Sequence, residues 1–453
     1  MKSRRLHAFQ TSTLLCTVIL LLSGCGGVRS MLEMMPAPAT LVGNHDAVVT
    51  HDSSLGKQEA ALLDMLYATS RAKASQQDKE QYYTGERGYL VRVGAGRINF
   101  GDSNITWDEA RKISLLKNRP GTFPLSVRDI QEYGVVPDSV SQFTPYRELE
   151  SIHEEDAVRF VEAIEQRLAK STSKEIYIYV HGYKVEFENP LLVASELWHF
   201  LGYEGAFIAY SWPSTPAKLA YFKDTETARV SAWGLRQLLG YLARETSAEK
   251  INIIGYSAGT RVVVNALHEL ALIHQNSPEE ALDSIKLGRV VLVGSDVDTG
   301  TFASYLLDGL LRVQDQLNLY VSPSDKALAI SEKVLNHRRI GEVLPGTLDE
   351  RMREFVLASN QMHFIDVEDA ENFDSGNGHA YFRKSPWVSA DVLMTIRHGY
   401  PPAERGLVRI EESPIWRFPD DYISRIEKML MLENTVEPPS ENISALPSPS
   451  TEE

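Results

Sequence analysis

The run Ile251-Asn252-Ile253-Ile254-Gly255-Tyr256-Ser257-Ala258-Gly259-Thr260-Arg261 sets one hydroxyl between two glycines, in the pattern Gly-x-Ser-x-Gly. A short apolar stretch precedes the pattern. Apolar residues then recur at Val262, Val263, Ala266, Leu267, Leu270 and Ala271, the spacing of one helix face. Strand, sharp turn and helix is the context in which this pattern lifts a serine above a sheet as a nucleophile. The glycines are expected to serve close approach, because a Cβ at Gly255 or Gly259 would meet a neighbouring strand or helix. The Ala258 N–H, at the start of the helix, would point at a developing oxyanion.

A serine hydroxyl is a poor nucleophile near neutral pH. It needs a base within hydrogen-bond reach and an acid that orients the base. On an α/β-hydrolase sheet the chain order is serine, acid, histidine, and the chemistry sits at the carboxyl ends of the strands. Asp325 lies just past the apolar run 317–321, in Ser322-Pro323-Ser324-Asp325. The rivals are Asp296 and Asp298, one strand earlier, and Asp325 also reads as the N-cap of a following helix. Four histidines come after Asp325. His363 opens the last strand and would sit at the wrong end of the sheet. His398 follows a helix, and His337 lies in the basic stretch His337-Arg338-Arg339. His379 follows the last strand across Asp374-Ser375-Gly376-Asn377-Gly378, a loop able to carry it over the site.

Ser257, Asp325 and His379 are therefore expected as nucleophile, acid and base. His181-Gly182 follows the run 176–180, where the backbone N–H of Tyr183 would complete an oxyanion hole with that of Ala258. His181 itself is expected to be a buried structural histidine. Tyr183, Tyr210, Trp212 and Tyr256 fall at strand ends, where they either line a pocket or cap the core. There is no His-x-x-x-His or cysteine pattern, so neither a metal nor a cofactor is expected.

These residues need a scaffold. From residue 176 the chain alternates apolar runs and amphipathic stretches. Strands are expected at 176–180, 206–211, 251–254, 290–293, 317–321 and 363–367, and helices at 191–201, 225–245, 261–274 and 386–396. That alternation predicts an α/β fold, a doubly wound, mostly parallel sheet with helices on both faces. Upstream, strands are expected at 62–69, 89–93 and 97–100, the last two separated by Gly94 and Gly96, with a helix at 154–170. Residues 107–123 are ambiguous, and 421–432 reads as a helix.

The chain has 453 residues, 43% hydrophobic and 24% charged, and a net charge of −15. No general basic surface is available, so nucleic acid is not an expected partner. Both cysteines, Cys16 and Cys25, lie in the first segment. Lys2, Arg4 and Arg5 precede an apolar run at 14–22 that is too short to span a bilayer. The run ends in Leu22-Ser23-Gly24-Cys25, which resembles a bacterial lipobox. Residues 1–24 are expected as a lipoprotein signal peptide, with Cys25 lipidated and the mature chain held on the membrane by its lipid. Gly26, where aspartate would favour inner-membrane retention, points to the outer membrane facing the periplasm. Residues 25–60 read as a tether. A hydrolase domain is expected at 61–400, with N-terminal strands and a helix at 61–170 and the catalytic core at 171–400. A C-terminal extension would occupy 401–433, and 434–453 would be a disordered tail.

Several short stretches together resemble the bacterial α/β-hydrolase family of unknown function DUF900. They are Val180-His181-Gly182-Tyr183, Ser211-Trp212-Pro213-Ser214, Gly255-Tyr256-Ser257-Ala258-Gly259, Tyr320-Val321-Ser322-Pro323-Ser324-Asp325-Lys326-Ala327 and Gly378-His379-Ala380-Tyr381-Phe382. Leu66-Tyr67-Ala68-Thr69-Ser70-Arg71 and Gly85-Glu86-Arg87-Gly88 are similar to the family's N-terminal part, so the resemblance covers about 62–397. It implies a hydrolase fold with Ser257, Asp325 and His379 as its triad, and carries no substrate. The elbow departs from the His-Ser-Met-Gly of many members. The function expected is a lipid-anchored envelope serine hydrolase acting on a small-molecule or lipid-like ester. An acyltransferase with the same residues, and a non-catalytic binding lipoprotein, are the alternatives.

Overall fold

The computed structural model describes residues 31–42, 61–75, 81–102, 105–150, 152, 156–215, 221–343, 346, 348, 350–372, 376–411 and 413–435. The signal peptide with Cys25, the tether apart from 31–42, and the tail beyond 435 lie outside these residues. Among the described residues, twelve strands form a single sheet. They are β1 (Met31–Glu33), β2 (Leu62–Lys73), β3 (Tyr83–Phe100), β4 (Pro124–Val135), β5 (Glu175–Val180) and β6 (Ala206–Ser211), followed by β7 (Lys250–Tyr256), β8 (Leu287–Val293), β9 (Gln316–Val321), β10 (Met362–Asp366), β11 (Val408–Arg409) and β12 (Ile415–Arg417). Their order is β1-β4-β3-β2-β6-β5-β7-β8-β9-β10-β12-β11. Every contact from β2–β6 across to β10–β12 is parallel.

The central strands are mostly apolar because both faces are covered. Along β5, Ile176, Ile178 and Val180 pack into one layer, and Tyr177 and Tyr179 into the other. The first layer holds helices α2 (Asp156–Lys170), α4 (Tyr221–Glu245) and α5 (Gly259–Ile273), counting α1 as Trp107–Ser114. The second holds α3 (Asn189–Phe200) and α8 (Pro386–His398). Between them in sequence come α6 (Thr299–Leu307) and α7 (Lys326–Leu335), and α9 (Tyr422–Thr435) ends the described chain.

Several expectations are corrected. Gly94 and Gly96 do not divide a strand, since β3 runs unbroken through both. Their role is close approach: a Cβ on Gly94 would lie 2.1 Å from the Gln131 carbonyl oxygen, and one on Gly96 2.6 Å from a Leu191 methyl of α3. The ambiguous stretch contains α1, started by a capping box between Thr106 and Glu109, and ends directly before β4. β4 escaped notice because its exposed residues dilute the apolar alternation. The strand carrying His363 is not the last, because the C-terminal extension adds β11 and β12, the latter beside β10. A fully buried Arg405–Asp391 pair (2.9 Å), with Tyr320 Oη donating to the same carboxylate (2.6 Å), ties that extension to α8 and β9.

The chain steps from β5 outward to β6, then returns to lay β7 on the other side of β5. The carboxyl ends of β5 and β7 therefore flank the point where the winding reverses, the place where such sheets bind ligands.

Two histidines inside this frame couple folding to pH. Burial lowers His181 and His199 to about 3 each, and nearby arginines reinforce the effect. The unfolded chain protonates both near 6.5. Stability from them is complete above about 6.5 and lost as pH falls toward 3, because only the unfolded state takes up the protons. Each contributes a slope of about 1.4 kcal/mol per pH unit in that window. Urea denaturation between pH 7 and pH 5 is expected to show this loss, and His199→Gln to flatten it by about one histidine's share. An unchanged slope in that variant would contradict the assignment.

Candidate active site

β7 ends at Tyr256, and Ser257 adopts φ +53°, a left-handed conformation uncommon for a residue with a Cβ. Its N–H donates to the Val293 carbonyl (2.9 Å), and its own carbonyl accepts from the Thr260 N–H and hydroxyl (3.0 and 2.5 Å). The turn is therefore pinned on both sides. Gly259 is where space is shortest: a Cβ there would lie 2.2 Å from the His181 carbonyl oxygen and 2.6 Å from that of Val180. α5 thus starts hard against the end of β5. A Cβ on Gly255 would lie 3.0 Å from a Val263 methyl and 3.4 Å from a Leu292 methyl. Gly182 makes room from the other side, since its Cβ would sit 2.8 Å from that of Ser257.

The three residues expected at the site come together. Ser257 Oγ donates to Nε2 of His379 (2.8 Å), and Nδ1 of that ring donates to Oδ2 of Asp325 (2.5 Å). Asp325 is fully buried. Its Oδ1 accepts the N–H groups of Ala327 (2.9 Å) and Leu328 (3.1 Å) and so caps α7. Cap and histidine partner were alternative readings of Asp325, and the carboxylate is both at once, one oxygen for each.

His379 lies on the loop after β10, of which residues 373–375 lie outside the described set. Gly376 and Gly378 have φ +74° and +67°, and Lys326 N–H donates to the Asn377 carbonyl (3.2 Å), joining this loop to the one that carries Asp325. Tyr256 packs beside the imidazole, with ring centroids 5.1 Å apart, and burial keeps its phenol protonated. Gly294 leaves space for the ring, since a Cβ there would come 3.0 Å from Cε1 of His379.

The rival acids are engaged elsewhere. Asp296 pairs with Arg261 (2.9 Å), accepts the Ser331 hydroxyl (2.5 Å) and lies 3.7 Å from Arg339. Asp298 caps α6 through the Thr301 N–H. His363 is buried in β10, and His398 stacks on Tyr400. His181 lies flat against Trp212 (5.4 Å, 9°), with its ring nitrogens facing the Gly182 and Trp212 carbonyls, and burial holds it neutral. Of the four strand-end aromatics, Tyr183 lines the cleft beside Ser257, whereas Tyr210 and Trp212 are buried in the core. Ala258 precedes α5, whose first N–H groups have no partner within the helix itself.

Two features escaped sequence reasoning. Arg71 on β2 donates to the Val185 carbonyl (2.7 Å) and the Ser211 hydroxyl (3.0 Å), so a distant strand holds the loop after Tyr183. A cleft of about 380 Å³ opens at Ser257 and His379, with Ala327, Ile330 and Val334 of α7 along it and Phe222 of α4 at its rim. The i, i+3, i+7 spacing of those three α7 residues was the available signal. Among the described residues no group of three or more His, Cys, Asp or Glu side chains could hold a metal ion. None of the described helices is long and apolar enough to cross a membrane.

A sequence profile of the family described as "Alpha/beta hydrolase of unknown function (DUF900)" matches residues 156–397. The chain belongs to this family. No curated protein and no solved structure matches it. The DUF900 region begins at α2 and ends within α8, so it contains Ser257, Asp325 and His379. The strands β1 to β4, with Arg71, and the strands β11 and β12 lie outside it.

The glycines separate by the space around them. Gly259→Ala forces backbone against backbone and is expected to lower the thermal midpoint by about 5 °C or more. Gly255→Ala presses chiefly on the methyl of a valine side chain and should cost clearly less. Thermal unfolding of the two variants side by side tests this, and equal midpoints would refute the close approach of α5 to β5.

Proposed function

We propose that this α/β hydrolase is a serine hydrolase that cleaves a carboxylic ester through an acyl-enzyme on Ser257. The observation that carries the reading is the continuous chain of hydrogen bonds from Ser257 Oγ through His379 to the buried carboxylate of Asp325. The Ser257 oxygen bonds to the ester carbonyl carbon while its proton passes to Nε2 of His379. The resulting imidazolium is stabilised by Asp325, which holds Nδ1 protonated and Nε2 free to accept. As the bond to the alcohol oxygen breaks, His379 returns the proton to that oxygen. Water then attacks the acyl-enzyme by the same route, releasing the acid and restoring Ser257. The N–H groups of Ala258 and Tyr183 are assigned to the oxyanion, and the helix start behind Ala258 supports the first assignment. No cofactor is assigned.

The proposal extends to location. The lipobox-like Leu22-Ser23-Gly24-Cys25 supports a chain lipidated on Cys25 and held at the outer membrane, facing the periplasm. Incorporation of labelled palmitate that persists in Cys25→Ser would reject the anchor.

A fluorophosphonate probe on the full-length chain tests the chemistry. Labelling is expected in the wild type, absent in Ser257→Ala and sharply reduced in His379→Ala. Asp325→Asn should keep a helix cap yet present the wrong imidazole tautomer, lowering kcat for a simple aryl ester on the order of 10³–10⁴-fold. A folded wild type that takes no probe would favour a binding role for the fold instead.

A further inference from the structure

The cleft beside Ser257 continues outward along one side of α7. Ala327, Ile330 and Val334 lie on that side, and from the first to the last the helix rises about 10 Å. Phe222 of α4 stands at the same cleft. The outer residues are uncovered: Phe222 is 62% exposed, Ile330 64% and Val334 48%. Large apolar side chains at this exposure, in a row that begins at a reactive serine, call for an apolar ligand. Among the described lining residues, Asp296 and His379 are the acidic and basic side chains, with Tyr183 contributing a phenol. Asp296 already faces Arg261 and Arg339 and accepts from Ser331, so its charge is balanced within the protein. No guanidinium or ammonium lines the described cleft to receive a carboxylate or phosphate on the substrate.

We infer that the site takes an ester whose acyl group is a long, uncharged aliphatic chain, laid along α7 and leaving the cleft past Ile330 and Val334. This rests on the reading of Ser257 as the nucleophile. The chain belongs to the acyl rather than the alcohol portion because of the order of events. The alcohol must depart before water attacks, whereas the acyl group stays through both half-reactions. An apolar wall on the acyl side therefore stabilises both transition states. The exposed outer end sets the length rule. No described side chain closes it, so additional carbons are accommodated and are not rejected.

The test is kcat/KM of the full-length chain, at fixed low detergent, for p-nitrophenyl acetate, butyrate, octanoate and laurate. Each methylene added within the cleft should raise the value up to about fourfold. The series should then level between octanoate and laurate. Ile330→Asp combined with Val334→Asp, both at already exposed positions, should lower the octanoate-to-acetate ratio tenfold or more. Leu307→Asp, at a still more exposed position at the end of α6 and away from the cleft, should leave the ratio unchanged. Fluorophosphonate labelling runs alongside. Labelling together with a preference for acetate, or a sharp fall beyond butyrate, overturns the inference and leaves the nucleophile standing. A gain confined to longer alcohols, in a series of acetate esters, overturns the acyl assignment. Absence of both labelling and turnover overturns the serine hydrolase reading, and this inference with it.

Discussion

The start of α5 is pressed against the end of β5, and much of the site depends on that contact. Backbone oxygens of Val180 and His181 occupy the space that a side chain at position 259 would need. With the helix that close, the residue before Ala258 cannot relax out of its left-handed conformation, and Ser257 is held where its hydroxyl faces the cleft. Hydrogen bonds at both sides of the turn, to the Val293 carbonyl and from Thr260, resist its release. Gly182 completes the arrangement by letting the loop after β5 pass over the Ser257 Cβ.

Around this fixed point the polar groups are shared between structure and site. Asp325 gives one oxygen to the start of α7 and one to His379, so the helix that walls the cleft and the imidazole above Ser257 have a common anchor. Thr260 similarly accepts the Asp296 N–H while donating to the Ser257 carbonyl. Asp296 then links α5, through Arg261, to α7, through Ser331. The cleft wall is thereby referenced to the serine turn by buried, paired groups, a more rigid support than surface ion pairs provide.

The parts outside the DUF900 region also reach the centre. β2 pairs with β6 in parallel, and Arg71 on it secures the backbone after Tyr183. Burial lowers this guanidinium to about 9, and the hydrogen bonds it donates to carbonyl and hydroxyl oxygens offset part of its desolvation. At the other edge, Arg405 and Asp391 form a pair with no exposed surface, which docks the C-terminal extension on α8. A pair so enclosed costs much to break, because a single remaining charge would be left in the core.

Local rules carried a large part of this in the sequence alone. Apolar runs alternating with helix-period stretches are enough to announce a parallel sheet buried on both faces. Gly255 to Gly259, placed between strand and helix, announces the serine turn. The order of serine, acid and histidine pointed to His379 as the base and to Asp325 as the acid, with Asp296 and Asp298 still in play, because each follows a strand at its carboxyl end. Other features were decided only by the tertiary structure. Gly94 and Gly96 looked like breaks because a sequence shows flexibility and not the Gln131 carbonyl or the Leu191 methyl packed against them. The choice of Asp325 over Asp296 depended on which carboxylate was already paired with arginine, a matter of contacts some 35 residues apart along the chain. Arg71 at Val185, 114 residues away, left no local trace at all. Period and turn chemistry act between near neighbours and are legible in order, whereas close approach and charge pairing exist only once distant segments share a space.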